Sequence, residues 1–62
     1  MEGQVNYRDQ IWTYEVDEAG KLWIKHPDKD HYISFDQYRL LDSTDDVAEI
    51  VLSFLRKSGF YN

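Results

Sequence analysis

The chain has no cysteine, one proline and three glycines in 62 residues. Without cysteine it forms no disulfide and no thiolate metal site, the usual staples of small secreted scaffolds. No apolar run approaches the roughly 20 residues that a membrane span needs. The opening Met1-Glu2-Gly3-Gln4 has neither the basic nor the apolar stretch of a signal peptide, so cytoplasmic residence is the expectation. Basic residues are scarce, with seven Lys and Arg against twelve Asp and Glu and a net charge of −5. Such a balance repels phosphate backbones and anionic lipid, which argues against direct contact with nucleic acid or membrane. It would attract a basic protein surface, including the DNA-binding groove of another protein. The same charge also serves plain solubility.

What the chain does have is aromatic side chains: two Trp, five Tyr and three Phe. A domain of this size buries only about 60% of the surface its unfolded chain exposes. That many rings exceed what one small core needs, and a surplus at the surface points to binding another protein. A hydrophobic fraction of 42% argues against disorder. One domain over residues 1–62 is expected, without internal repeats, and self-association is a common further source of stability at this size.

Residues 1–8 show no clear periodicity and read as a loose arm, with Val5 and Tyr7 able to join a sheet edge. From Gln10 to Asp17 the pattern alternates, as in a half-buried strand. Asp17-Glu18-Ala19-Gly20-Lys21 reads as a hairpin loop with Gly20 in the left-handed position. A second strand runs from Lys21 to His26 and stops at Pro27. The loop sets Asp17 opposite Lys21, Val16 opposite Leu22, Glu15 opposite Trp23 and Tyr14 opposite Ile24. Trp12, Tyr14, Val16, Leu22 and Ile24 then share a core face, and Ile11, Thr13, Glu15, Trp23 and Lys25 share the other. Asp17 and Lys21 make a cross-strand pair of opposite charge.

His31 to Ser34 could supply a short third strand. Ser34 reads as an N-cap and Gln37 as its capping-box partner, opening a short helix from Phe35 to about Asp42. A second helix, from Asp45 to Ser58, is capped by Ser43 or Thr44. Asp45 and Asp46 complement its dipole, and Val47, Ile50, Val51, Phe54 and Leu55 form an apolar stripe. Gly59 and Phe60 fit a Schellman stop. The fold expected is α+β, an N-terminal antiparallel hairpin with or without a third strand, packed on two C-terminal helices.

Catalysis finds little support. The serines sit at caps or in the last helix, and so short a chain struggles to enclose a pocket, so an enzyme is not expected. His26 and His31 flank Asp28 and Asp30, but the spacing matches no compact metal motif, and neither a metal nor another cofactor is expected. His26 reads as a boundary packing residue. Asp42, Asp45, Asp46 and Glu49 fall on one side of the last helix and its approach. They would either imitate phosphates for a DNA-binding partner or serve the helix dipole and solvation. Trp23, next to Ile11 on the outer face, would either anchor a partner or be covered by a symmetry mate or helix. Phe60 and Tyr61 at the C-terminus would either pack against the last helix or contact a partner.

In the acidic turn Asp17-Glu18-Ala19-Gly20-Lys21 before an aromatic strand, and in Ser34-Phe35-Asp36 at a helix start, the chain faintly resembles small acidic inhibitors encoded by phages. The nearest of these is the uracil-DNA glycosylase inhibitor family, and Thr44-Asp45-Asp46 followed by Ile50-Val51 is a weaker echo. The order of Phe35 and Asp36 is the reverse of the family pattern, so that family's partner-binding aromatic is not carried over to Phe35. The resemblance implies only a class: a compact acidic dimer that occupies a site on a host or defence protein. The leading expectation is therefore a non-enzymatic inhibitor of phage or mobile-element origin. It would bind a basic partner through Trp23, Ile11, Asp42, Asp45, Asp46, Glu49, Phe60 and Tyr61, as a DNA mimic and a homodimer. The alternative is a structural or regulatory homo-oligomer without inhibitory role. A DNA-binding regulator would need a basic helix face that Arg56 and Lys57 alone do not supply.

Overall fold

The computed structural model of the chain describes residues 1–34, 37 and 39–58, with strands β1 (Glu2–Tyr7), β2 (Gln10–Val16), β3 (Leu22–Lys25) and β4 (Ile33–Ser34) followed by one helix, α1 (Val47–Ser58). The strands form a single antiparallel sheet in the order β1-β2-β3-β4. One face packs on α1. Val5, Trp12, Val16, Leu22 and Ile24 from the sheet meet Val47, Val51 and Leu55 from the helix in the buried core. A helix of 12 residues is marginal in isolation. Its apolar stripe supplies the difference, because each fully buried aliphatic side chain contributes roughly 1.5–3 kcal/mol.

The central hairpin has the register that its turn chemistry dictates: Tyr14 faces Ile24, Glu15 faces Trp23, and Val16 faces Leu22. Gly20 has φ of 90°, the left-handed conformation that the turn requires. Asp17 and Lys21 lie opposite one another, and the Asp17 N–H donates to the Lys21 carbonyl at 3.0 Å. Their side chains, however, do other work. Oδ1 of Asp17 accepts from the N–H groups of Ala19 at 2.9 Å and Lys21 at 3.0 Å. The expected ion pair is replaced by a side-chain-stapled turn.

Three expectations are corrected. Residues 1–8, read as a loose arm, carry β1, which pairs with β2 along its whole length from Glu2–Glu15 to Tyr7–Gln10. The alternation exists, with Gly3, Val5 and Tyr7 inward, but at Gly3 the inward side chain is missing. Tyr14 fills that place from the neighbouring strand, its hydroxyl 2.5 Å from where a Gly3 Cβ would stand.

The second correction is the helix count, which is one rather than two. Among the described residues between Ser34 and Val47 there is no helix; Phe35, Asp36 and Tyr38 lie outside the described set. Ser34 pairs with Trp23 in the sheet instead of capping a helix. Gln37, expected to close a capping box, turns its amide to β3. Its Oε1 accepts from the Leu22 N–H at 2.8 Å, and its Nε2 donates to the carbonyls of Arg39 at 3.2 Å and Gly20 at 3.4 Å. The side-chain amide thus continues the ladder where β4 ends, and sheet pairing wins over local helix propensity.

The third concerns the helix start. Asp46 is the N-cap: its carbonyl accepts from Ile50 at 3.1 Å and its Oδ1 accepts from the Glu49 N–H at 3.4 Å. Ser43, Thr44 and Asp45 belong to the preceding turn. Gly59 and Phe60, the expected stop, lie outside the described residues.

Candidate functional site on the outer sheet face

With α1 on one face, no described element packs over the other. That outer face presents Glu2, Gln4 and Asn6 from β1, Ile11, Thr13 and Glu15 from β2, Trp23 and Lys25 from β3, and Ser34 from β4. Trp23 is its largest side chain and is half-buried. Two turn residues fix it. Nε1 donates to Oδ2 of Asp17 at 3.1 Å, and Nζ of Lys21 lies 5.1 Å from the ring centroid, a cation–π contact. The indole N–H, with the Lys21 and Ala19 N–H groups, holds the Asp17 carboxyl below the usual carboxylate range. Sequence reasoning placed Trp23 on this face but missed Asp17 and Lys21 as its holders. The signal was present in the turn, where an Asp three residues before a Gly staples the backbone and leaves one oxygen spare.

Ile11 shares the face and is 49% exposed. It stands at the far end of β2, separated from Trp23 by the Thr13–Lys25 pair, so the two do not form one contiguous patch. Tyr32 and Leu40 add exposed apolar surface elsewhere. Phe60 and Tyr61 lie outside the described residues.

The acidic group resolves into local tasks. Asp42 Oδ1 accepts from the Thr44 hydroxyl at 2.6 Å and the Thr44 N–H at 2.9 Å, contacts that lower its pKa. Asp45 is only 10% exposed and takes both guanidinium nitrogens of Arg39, Nη1 at 3.0 Å and Nη2 in close contact. It also accepts from the Asp42 N–H at 2.8 Å. The Arg39 guanidinium, with backbone help from Asp42, pulls the Asp45 carboxyl down to about 2. Asp46 caps α1, and Glu49 stands 3.8 Å from Arg56. Arg39 gave no sequence signal, since nothing in its spacing from Asp45 marks a turn-closing pair.

His26 behaves as a boundary residue. Its ring meets Trp12 edge-on at 4.7 Å between centroids, and its Nδ1 accepts from the Asp28 N–H at 2.9 Å, which leaves the proton on Nε2 when the ring is neutral. Among the described residues no group of three His, Cys, Asp or Glu is placed to hold a metal ion. No described helix is long and apolar enough to cross a membrane. Comparison with protein-family models, curated proteins and solved structures finds no match to this chain.

Proposed function

We propose that the protein is a non-enzymatic binding module that sets the outer face of its sheet, anchored by Trp23, against a basic or DNA-binding surface of another protein. The observation that carries this reading is the preorganised indole. Trp23 is held by Asp17 and Lys21 before any partner arrives, on a face that no described element covers. A rigid, amphipathic ring loses little entropy on binding, which is why Trp is enriched at interface hot spots. The net charge of −5 steers the chain toward basic partners. Small size, acidity and the resemblance to phage-encoded inhibitors support the biological class: an inhibitor of a host or anti-phage defence protein, acting in the cytoplasm of the host cell. Asp42, Asp45 and Asp46 contribute to the field, while their carboxylates are occupied in shaping the loop and the helix start.

The test is a parallel capture from bacterial lysate with the natural chain and Trp23→Ala, each verified as folded by circular dichroism. A partner retained by the first should bind the second about thirtyfold more weakly, the equivalent of roughly 2 kcal/mol for a hot-spot Trp. A partner held equally by both moves the interface away from the outer face. Recovery of the chain alone favours a structural or regulatory homo-oligomer.

A further inference from the structure

We infer that β1 is an interface strand through which two copies of this chain pair edge to edge, antiparallel, with Gln4 on the twofold axis. The ladder decides what the edge offers. The Val16 N–H donates to the Met1 carbonyl at 2.7 Å and the Met1 amine to the Val16 carbonyl at 3.0 Å, so Met1 and Val16 form a hydrogen-bonded pair. From there the register runs without a bulge to Tyr7–Gln10. Bonded and non-bonded pairs alternate in an antiparallel ladder. Gly3, Val5 and Tyr7 therefore spend their backbone groups on β2, and those of Glu2, Gln4 and Asn6 point out from an edge that no described strand pairs. This strand of six residues has no Pro, no Lys and no bulge to guard it against pairing.

The opposite edge is short. β4 has two residues, and the amide of Gln37 occupies Leu22 beyond its end. A twofold pairing through β1 is isologous and closes on itself.

Self-complementarity selects the occupant. A twofold axis through the sheet must oppose residues that point to the same face. With Gln4 opposite itself, Glu2 meets Asn6 at both ends, every outward backbone group is paired, and Gly3 faces Val5. Glu2 is the one charged residue of β1, and this register keeps the two Glu2 carboxylates at opposite ends of the interface. On α1, Ile50 and Phe54 flank the side of Gln37, Arg39 and Leu41. Helical spacing puts Ala48 and Leu52 on the other flank, toward β1, so the two helices approach across the axis through apolar side chains. Both outer faces end on the same side of the joined sheet, and both Trp23 rings stay free for the partner proposed above.

The test is sedimentation of the full chain over a range of concentrations, combined with amide hydrogen exchange. A mass of twice 7.5 kDa is expected at high concentration. The amides of Glu2, Gln4 and Asn6 should be protected there and lose protection on dilution, while those of Gly3, Val5 and Tyr7 stay protected throughout. Gln4→Lys sets two ammonium groups against each other on the axis and should weaken the pair by about tenfold or more. The side chain is exposed in one copy, so circular dichroism should be unchanged. A monomer at the highest soluble concentration overturns the proposal. So does a dimer in which the Glu2, Gln4 and Asn6 amides exchange equally fast at every concentration, or a folded Gln4→Lys chain that pairs as tightly as the natural one. A dimer whose Trp23→Ala variant captures partners normally counts against the proposed function alone, and a monomer that captures a partner through Trp23 counts against the β1 pairing alone.

Discussion

The Trp23 indole and the Asp17 carboxylate share one bond of 3.1 Å, and through it the hairpin turn and the outer face are a single unit. The other oxygen of Asp17 staples the turn through the N–H groups of Ala19 and Lys21. Asp17→Ala removes both functions, so the chain should melt at lower temperature and the Trp23 indole proton resonance should move toward the position of a solvent-exposed indole. Asp17→Asn retains an acceptor for the turn but offers its amide nitrogen to an indole that can only donate. It should therefore keep more of the stability than Asp17→Ala while still shifting the indole resonance. An unshifted resonance in both variants would show that the bond does not orient the ring.

Acid should weaken the fold through the carboxylates of the loop. The Asp45 carboxyl titrates at about 2 in the folded chain, held down by Arg39, against about 3.9 when unfolded. A depressed folded value means that the stabilisation is complete above the unfolded value and is lost as pH falls through the folded one. Asp17 and Asp42 are shifted in the same direction. Thermal stability should thus decline as pH drops from about 4 toward about 2. Asp45→Asn should lower stability at neutral pH and flatten the acid slope. A slope unchanged in Asp45→Asn would assign the acid sensitivity to other carboxyls.

Gln37 joins three backbone groups, and its loss should be felt far along the sequence. Removing the amide in Gln37→Ala leaves the Leu22 N–H without its acceptor beside the fully buried Leu22 side chain. An unsatisfied donor in such a place costs about 1–3 kcal/mol. The direct readout is exchange of the Leu22 amide, which should accelerate more than that of Trp23, whose N–H is paired with β2.

The same residue shows where sequence pattern stops carrying the fold. The central hairpin was legible because alternation, turn chemistry and charge all favour one register from Trp12 to Ile24. The stripe of α1 was legible for the same reason, through Val47, Val51 and Leu55. Ser34 and Gln37 have the spacing of a capping box, yet Ser34 lies opposite Trp23 in the sheet, and no local rule weighs a strand against a cap. β1 was obscured because its alternation passes through Gly3, whose place in the core is taken by Tyr14 from another strand. Of the candidate site, the side of the sheet carrying Trp23 was readable from parity. Its anchoring by Asp17 and Lys21, and the engagement of Asp45 by Arg39, depend on where loops fold back, which periodicity does not encode.

Two glycines should respond differently to alanine. At Gly20 the backbone is left-handed, and an added Cβ would stand 2.6 Å from the Leu41 carbonyl oxygen, a backbone atom that itself follows the 2.8 Å bond from the Leu41 N–H to the Gly20 carbonyl. Nothing there can yield cheaply, and Gly20→Ala should cost about 2 kcal/mol or more. At Gly3 the obstacle is the end of the Tyr14 ring. A side chain can swing aside, so Gly3→Ala should cost about 1 kcal/mol, with near-ultraviolet circular dichroism reporting the displaced ring. Equal losses at the two sites would mean that Tyr14 is as firmly fixed as the Leu41 backbone.

The β1–β2 turn offers a gain instead of a loss. Arg8 and Asp9 both have positive φ, 55° and 63°, in a two-residue loop between Tyr7 and Gln10. That geometry is the type I′ turn, which matches the twist of a hairpin and favours Asn-Gly, because most side chains are strained with φ positive. Arg8 recovers a part of the strain through its guanidinium, 5.7 Å from the Tyr7 ring centroid, a contact worth about 0.5–1 kcal/mol when exposed. Strain of order 1 kcal/mol or more at each of two residues outweighs it. The double substitution Arg8→Asn with Asp9→Gly should therefore stabilise the chain by about 1 kcal/mol, raising the melting temperature by roughly 4–8 °C for a domain of this size. The substitutions lie beyond the end of β1, so the Glu2, Gln4 and Asn6 edge keeps its register and the concentration dependence of pairing should not change. A melting temperature lowered by the Asn-Gly turn would mean that the side-chain contacts of Arg8 outweigh the backbone strain.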